Sequence, residues 1–519
     1  MRNDLYILAF VALVSAVLYR RIRIKRLPLP PGPPPRFLTG NLHQLPSNEP
    51  WLAYAEWAKQ YGPLVCFRLF RQRYIVLNSG RAAMDLLDAR SGIYSDRPDE
   101  WMLGRLAGQH STMFVLSSAD ARFPKYRKML QSGMSRRATQ AYRPTQEHQL
   151  KTLLRRLSET PEAFLTLTET YVASIALRIA YGYDVAPDND YFINLIQQSG
   201  REINALVQPY FYVEAFPLLR FVPSWFSFVY FKRAYLKSRK VFDAVETGPF
   251  KWAEAQIESG RYTESFFSQY LRPEDGHDLD AVERDTLKWT AAAIYAGGAR
   301  TTTSAITSFF LLMSLHPAIQ KSAQAEIERV LGRGRLVRLE DQKALPYITA
   351  VLKEVLRWAP VAPLGLKHRV TKDDFYGGYL IPEGTTLIAN IWAITHDSEL
   401  YPSPSVFDPT RHLGETPQPD PFKYFIFTHF STKTDDETPT SFVFGYGRRV
   451  CPGATLAEET LFLAIANILA AFDIHKARDA AGHDIEPDIK WRTAVVTFAT
   501  NFGCRIVPRA PDMLASFAV

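Results

Sequence analysis

The chain of 519 residues is long enough for one large domain or several ordinary ones, and with 47% hydrophobic and 22% charged residues it is globular rather than disordered. Three cysteines and no Asn-x-Ser/Thr sequon supply no disulfide framework and no sign of an oxidising lumen. The net charge of +8 does not point to nucleic acid, because Arg20, Arg21, Arg23, Lys25 and Arg26 hold five of those charges and the remaining +3 is ordinary.

Leu5 to Tyr19 is an apolar run, followed at once by that basic cluster and by no small-residue cleavage site. It is short for a membrane span, which needs roughly 17 to 25 residues, but Tyr and Arg ends snorkel. The pattern predicts an uncleaved signal anchor over 1–26, its positive flank holding the rest in the cytosol; a cleaved signal or a buried N-terminal helix is the alternative. Leu27 to Pro35 cannot be helical and predicts a stiff polyproline segment, 27–36, that spaces the body from the bilayer. No later linker divides 37–519.

Within that body, a helical pattern at Trp51 to Tyr61 precedes alternating stretches, Leu64 to Phe70 and Tyr74 to Leu77, which predict a hairpin. Helical segments dominate from Gln146 to Leu356, and strand signals return at Gly378 to Asn390 and Ala494 to Val507. The fold class is mainly α with small β-sheets. Tyr210 to Phe231 is an aromatic stretch broken by prolines, with two readings: core packing, or a lip dipping into the membrane interface where a lipophilic substrate enters.

Asp280 to Glu283 reads as a capping box opening a helix to about Leu315, with Pro317 just past its end. In its middle Gly297 and Gly298 cost roughly 1 kcal/mol each relative to Ala, which implies close approach or a bend. Arg300, Thr301, Thr302 and Thr303 follow. Pro346 starts another helix, in which Glu354 and Arg357 share a face. Phe407-Asp408-Pro409-Thr410-Arg411 comes next. His412 to Thr440 is long for a connection and Phe422 to Phe427 within it is oddly apolar, so it is either an added lid or translated intron.

Phe444 to Gly453 offers the one thiol whose surroundings packing alone would not need. Glycines at 445, 447 and 453 let the backbone approach a flat partner, while Arg448, Arg449 and the positive end of the apolar helix from Ala454 to Phe472 suit Cys451 as a thiolate. Cys66 and Cys504 lack such surroundings and read as small hydrophobes.

Phe444, Gly447, Arg449, Cys451 and Gly453 together resemble the haem-binding loop of the cytochrome P450 family. The resemblance implies that family's fold, one large domain behind the anchor, and haem b with Cys451 as axial iron ligand. It also implies that Arg449, Arg127 and His368 are propionate partners, and that Gly297 and Gly298 form the oxygen groove. Thr301, with Thr302 beside it, then serves proton delivery, and Glu354, Arg357 and Arg411 lock the proximal side. Two positions depart from the pattern. Phe123 stands where Trp donates to a propionate, and Arg300 stands where the family has an acid, although Arg cannot release a proton near neutral pH.

The layout is similar to fungal microsomal members of secondary metabolism or xenobiotic oxidation. It implies a monooxygenase acting on a lipophilic molecule at the endoplasmic reticulum membrane. No nucleotide fingerprint is present, so electrons come from NADPH through a cytochrome P450 reductase, or cytochrome b5, docking near Arg448. A haem-thiolate isomerase or dehydratase without external O2, or a haem-binding protein without turnover, would share Cys451.

Overall fold

The computed structural model describes residues 27–207, 210–223, 225–226, 230–272, 278–422, 442–492 and 494–509. The expected anchor over 1–26 lies outside them, as does the stretch from Lys423 to Ser441 that holds most of the apolar insertion.

Proline starts α1 (Pro50–Tyr61), where its missing N–H costs nothing, and Gly62 ends it. The chain then forms the expected hairpin, β1 (Leu64–Leu69) and β2 (Gln72–Leu77), antiparallel with Leu64 opposite Leu77. β2 pairs in parallel with β6 (Thr386–Ala389), and β3 (His368–Arg369) pairs antiparallel with the other side of β6. This four-stranded sheet brings residues some 300 positions apart together, and it carries His368. β4 (Asp374–Tyr376) and β5 (Tyr379–Ile381) form a separate hairpin. At the C-terminal end β7 (Phe472–Lys476) pairs with β10 (Cys504–Pro508), and β8 (Lys490–Arg492) with β9 (Phe498–Thr500).

Helices make the rest: α2 (Arg122–Gly133), α3 (Arg136–Glu159), α4 (Phe164–Tyr181), α5 (Tyr191–Val207), α6 (Phe231–Glu258), α7 (Ala281–Leu315), α8 (Pro317–Leu331), α9 (Pro346–Trp358) and α10 (Ala454–Ala471). The capping box at the start of α7 forms as expected. Asp280 accepts from the Glu283 N–H at 2.8 Å and Glu283 accepts from the Asp280 N–H at 3.1 Å. At 1.5 Å per residue α7 is about 50 Å long, and it is buried on nearly every side. Phe309, Phe310, Leu311, Leu312 and Met313 are all inaccessible. α4 and α10 are long and apolar enough to cross a membrane by length and composition, yet both belong to the main core around α7.

The proline segment differs from a free spacer. Pro31 accepts from the Cys66 N–H at 2.8 Å and Pro28 from the Leu380 N–H at 2.9 Å, so edge donors of β1 and β5 hold it to the body. The aromatic stretch divides between its two readings. Phe211 and Val213 are buried, whereas Leu218, Phe221 and Trp225 are 76%, 68% and 75% exposed. Phe216 stacks edge-on to Phe70 at the tip of the β1–β2 hairpin, beside the exposed Phe37 and Leu38.

Candidate active site

The loop from Phe444 to Gly453 closes on itself, the Cys451 N–H donating to the Phe444 carbonyl at 2.8 Å and the Val450 N–H to Gly447 at 3.1 Å. Gly447 has φ +50, and a Cβ there would stand 2.6 Å from the Leu87 carbonyl oxygen, so only glycine fits. Its N–H donates to Asp88 at 2.8 Å. Gly453 caps α10, and a Cβ there would lie 4.0 Å from the Cys451 sulfur. Phe444 is half-buried, its ring 5.4 Å from that of Phe422, the last described residue before the insertion.

Cys451 lies deep in the chain, yet its surface is open. In the middle of α7, Ala296, Gly297, Gly298 and Thr301 are half-exposed although Thr302 to Ser314 of the same helix are buried. A Cβ on Gly297 would meet Phe114 at 3.3 Å and one on Gly298 would meet Ala176 at 3.4 Å. The open surface of a thiol so deep in the chain marks an internal space beside it, which is what a flat group needs. Burial raises the Cys451 thiol, while the Gly453 N–H and Arg127 pull it down. The cation acting on the sulfur is thus Arg127, whereas the charges expected beside it lie elsewhere: Arg448 is exposed, and Arg449 is held by other partners.

Those partners are carbonyls. Arg449 donates to Ser95, Met113 and Leu116 at 2.8, 3.2 and 2.6 Å, and lies 4.1 Å over the Phe123 ring. The phenyl group that stands in place of an indole therefore serves as a π face for Arg449 rather than as a donor. Arg127 donates to the Val450 carbonyl at 2.8 Å. A further cation, Arg97, donates to the Leu366 and Lys367 carbonyls at 2.9 and 2.5 Å, and its buried Nε has no partner. Burial lowers Arg449 to about 9 and Arg97 to about 10. Arg97 lies within the field of Glu100 and Asp96, and Arg449 within that of Arg97, Asp96 and Arg127. Glu100 is already bonded by Lys367, and Asp96 by Arg369, Ser117 and Ser118.

His368 lies at the same wall. Its Nδ1 is 2.8 Å from the Tyr94 carbonyl, which can only accept, so Nδ1 carries the proton. Burial and Arg97 hold the ring well below the usual histidine range, so a cationic His368 needs an anion beside it. One buried and two half-buried guanidiniums, bonded to carbonyls rather than carboxylates among the described residues, together with an open thiol, fit a group bearing both anions and a thiolate-binding metal, as haem does.

On α7 the Thr301 hydroxyl donates to the Gly297 carbonyl at 2.8 Å and is half-exposed, whereas Thr302 is buried. Arg300 lies toward α5. Its guanidinium lies 5.1 Å over the Phe498 ring, against Gly200 of α5.

Behind the thiol, Arg357 donates twice to Glu354 at 2.8 Å and Arg411 once at 3.0 Å, so the structure brings together three residues that the sequence places up to 57 positions apart. His412 adds a contact at 2.9 Å that sequence reasoning missed. Burial raises the Glu354 carboxyl, but His412 and the arginines outweigh it and hold the group at about 2. Arg97, also missed, has only one local signal, the proline after it, which keeps its backbone extended.

A family model described as cytochrome P450 matches residues 30–497. The chain is 35% identical to cytochrome P450 monooxygenase claR of Ampulloclitocybe clavipes, over 94% of this chain and 88% of that one. It is 36% identical to cytochrome P450 monooxygenase 208 of Postia placenta, over 96% and 93%. A third relative, cytochrome P450 monooxygenase ppsD of Aspergillus oryzae, is 35% identical over 89% and 85%. With the match spanning the Cys451 loop, the lock behind it and the glycine pair of α7, the chain belongs to the cytochrome P450 family, the haem-thiolate monooxygenases.

Proposed function

We propose that the protein inserts one oxygen atom of O2 into a lipophilic small molecule, by hydroxylation or epoxidation, in fungal secondary metabolism or xenobiotic oxidation. The observation that carries this is the open Cys451 thiol deep in the chain, with Arg127 acting on its sulfur and with Arg449 in the field of both Arg127 and buried Arg97. Cys451 would hold the iron of haem b, and Arg97, Arg127 and Arg449 its propionates, with His368 beside them. Haem, when bound through a thiolate, supplies oxygen activation. Gly297 and Gly298, without side chains against Phe114 and Ala176, would let α7 pass close to the group, and Thr301 holds its hydroxyl proton on the Gly297 carbonyl. Phe444 and the bonds of the Cys451 loop keep water from the sulfur. The Glu354 lock keeps the loop's support rigid.

Electrons come from NADPH through a cytochrome P450 reductase, with cytochrome b5 as a second donor. Exposed Lys125, Lys128, Arg136, Arg137 and Arg448 supply a positive surface for an acidic partner on the thiol side. Residues 1–26 anchor the chain in the endoplasmic reticulum membrane by a single pass, and the exposed apolar face around Phe221 and Trp225 rests on the bilayer.

The first experiment is a reduced-CO difference spectrum of purified protein. A thiolate-type band that Cys451→Ala abolishes is expected, and its absence from the parent protein would overturn the reading. O2 uptake that depends on reductase and NADPH then identifies monooxygenation, whereas product without NADPH would identify a rearrangement enzyme.

A further inference from the structure

Monooxygenation consumes protons as well as electrons at a site closed to bulk water, so a titratable group must stand between solvent and the groove at Gly297 and Thr301. The side chain next to Thr301 on α7, Arg300, lies toward α5 and cannot supply a proton near neutral pH. Across from it on α4 is Glu169, largely buried, accepting a hydrogen bond from Gln197 of α5 at 2.6 Å. Glu169, Gln197, Arg300, Thr303 and Phe498 line a cavity of about 20 Å³, room enough for one water with polar partners on several sides. Arg300 and Glu169 both line this cavity and act on one another by charge.

The chain makes space for this arrangement. A Cβ on Gly200 would stand 1.7 Å from the Arg300 guanidinium, so glycine on α5 is what admits the arginine. Phe498 of β9 covers its face at 5.1 Å. The cavity touches α7 at Ala299, Arg300 and Thr303, on the turn that carries Thr301.

We propose that Glu169 is the proton-loading residue of this enzyme, with Arg300 as the positioning residue that fixes its carboxylate and the cavity water. The step moves one proton and no electrons: the Glu169 O–H bond breaks as the cavity water takes the proton toward the groove, and solvent reloads the carboxylate. Burial raises the proton affinity of Glu169 above the ordinary carboxylate range, while Arg300 of α7, Arg492 of β8 and Arg201 of α5 oppose it. These are the charged groups that face it from the elements packed around it. A carboxyl so placed holds a proton at higher pH than a free one and still gives it up. The inference rests on the monooxygenase reading above.

The test uses the full chain with haem and reductase, comparing the parent with Glu169→Gln, Glu169→Asp and Arg300→Gln. In Glu169→Gln, product per NADPH should fall about tenfold or more, the size of a general-acid contribution. The missing electrons should appear as hydrogen peroxide, with KM unchanged within about twofold. Glu169→Asp should restore most of the coupling. Arg300→Gln removes a charge that lowers the proton affinity of Glu169, so its coupling should persist to higher pH than the parent's. Independently of turnover, the infrared difference spectrum of parent minus Glu169→Gln should contain a protonated-carboxyl band, set apart by the subtraction from that of Glu246, which burial raises to about 8. Unchanged coupling in Glu169→Gln, or a difference spectrum without that band, overturns the inference. A thiolate-type reduced-CO band in the parent and variants together with unchanged coupling overturns this inference alone, whereas its absence from the parent overturns the reading beneath it. Should Glu169→Gln lose the band by misfolding, Arg300→Gln decides, and an unshifted coupling profile counts against the proposal.

Discussion

Gly447 and Arg97 hold opposite sides of the space over Cys451, and each can be tested alone. At Gly447 any side chain meets backbone, the Leu87 carbonyl at 2.6 Å, and must adopt a φ of +50 that costs an L-residue roughly 1–2 kcal/mol. No rotamer relieves that contact, so Gly447→Ala should shift the loop and cut the reduced-CO signal per mole of protein severalfold; full haem content in the variant would show that the loop tolerates the shift. Arg97 donates from one nitrogen, Nη1, to two carbonyls, and its Nε is without a partner in the structure. Arg97→Leu removes a charge-assisted contact worth about 1.5–3 kcal/mol, so haem transfer to an acceptor apoprotein should quicken about tenfold or more. Arg97→Lys should rescue little, because an ammonium has one nitrogen and cannot both hold the two carbonyls and offer separate donors to an anion. The two residues differ in how well the sequence announces them. Gly447 sits four positions from Cys451 within one local pattern, whereas the carbonyls that hold Arg97 lie 269 and 270 positions away and leave no local trace.

At the scale of elements, punctuation decided what could be read. α7 was legible because Asp280 and Glu283 cap its start and Pro317 follows its end, and α9 because Pro346 opens it. β3, two residues long, was not legible, because only its pairing with β6 makes it a strand. The contacts of the proline segment were not legible for a related reason: its missing N–H groups were visible, but the carbonyls that accept from β1 and β5 depend on where those edges lie. Between α9 and the Arg411 turn, Glu354 is the common acceptor, fully buried with Arg357. Glu354→Ala strands two guanidiniums and should cost about 3–5 kcal/mol, read as a fall in the urea midpoint. The pH dependence follows in sign. The carboxyl is at about 2 when folded and 4.5 in its ordinary state, so its contribution is complete above pH 4.5 and is lost as pH falls toward 2. Unfolding free energy should drop by ~3 kcal/mol across that window, and Glu354→Gln should flatten the slope. A slope that persists in Glu354→Gln would place the acid sensitivity elsewhere.

For the whole molecule, the open question of orientation comes down to one apolar face. Phe37 and Leu38 beside the hairpin tip, Phe216 against Phe70, then Leu218, Phe221 and Trp225 lie along the surface at 50% exposure or more, with exposed Arg36 and Arg220 as the cations beside them. Water contact on that much aromatic and aliphatic area is unfavourable by about 25 cal/mol per Å², and an interface that accepts Trp and Phe rings relieves it. A chain deleted of residues 1–26 should therefore still sediment with phosphatidylcholine vesicles. Replacing Leu218, Phe221 and Trp225 together by Ser should weaken that partition at least about tenfold, since even partial burial of three large side chains exceeds 1.4 kcal/mol. Because these side chains are exposed and far in sequence from the Cys451 loop, the reduced-CO band of the triple variant should match that of the parent. Equal partition of the truncated parent and the triple variant would mean that the face is covered by something other than a bilayer, and that residues 1–26 alone set how the enzyme sits.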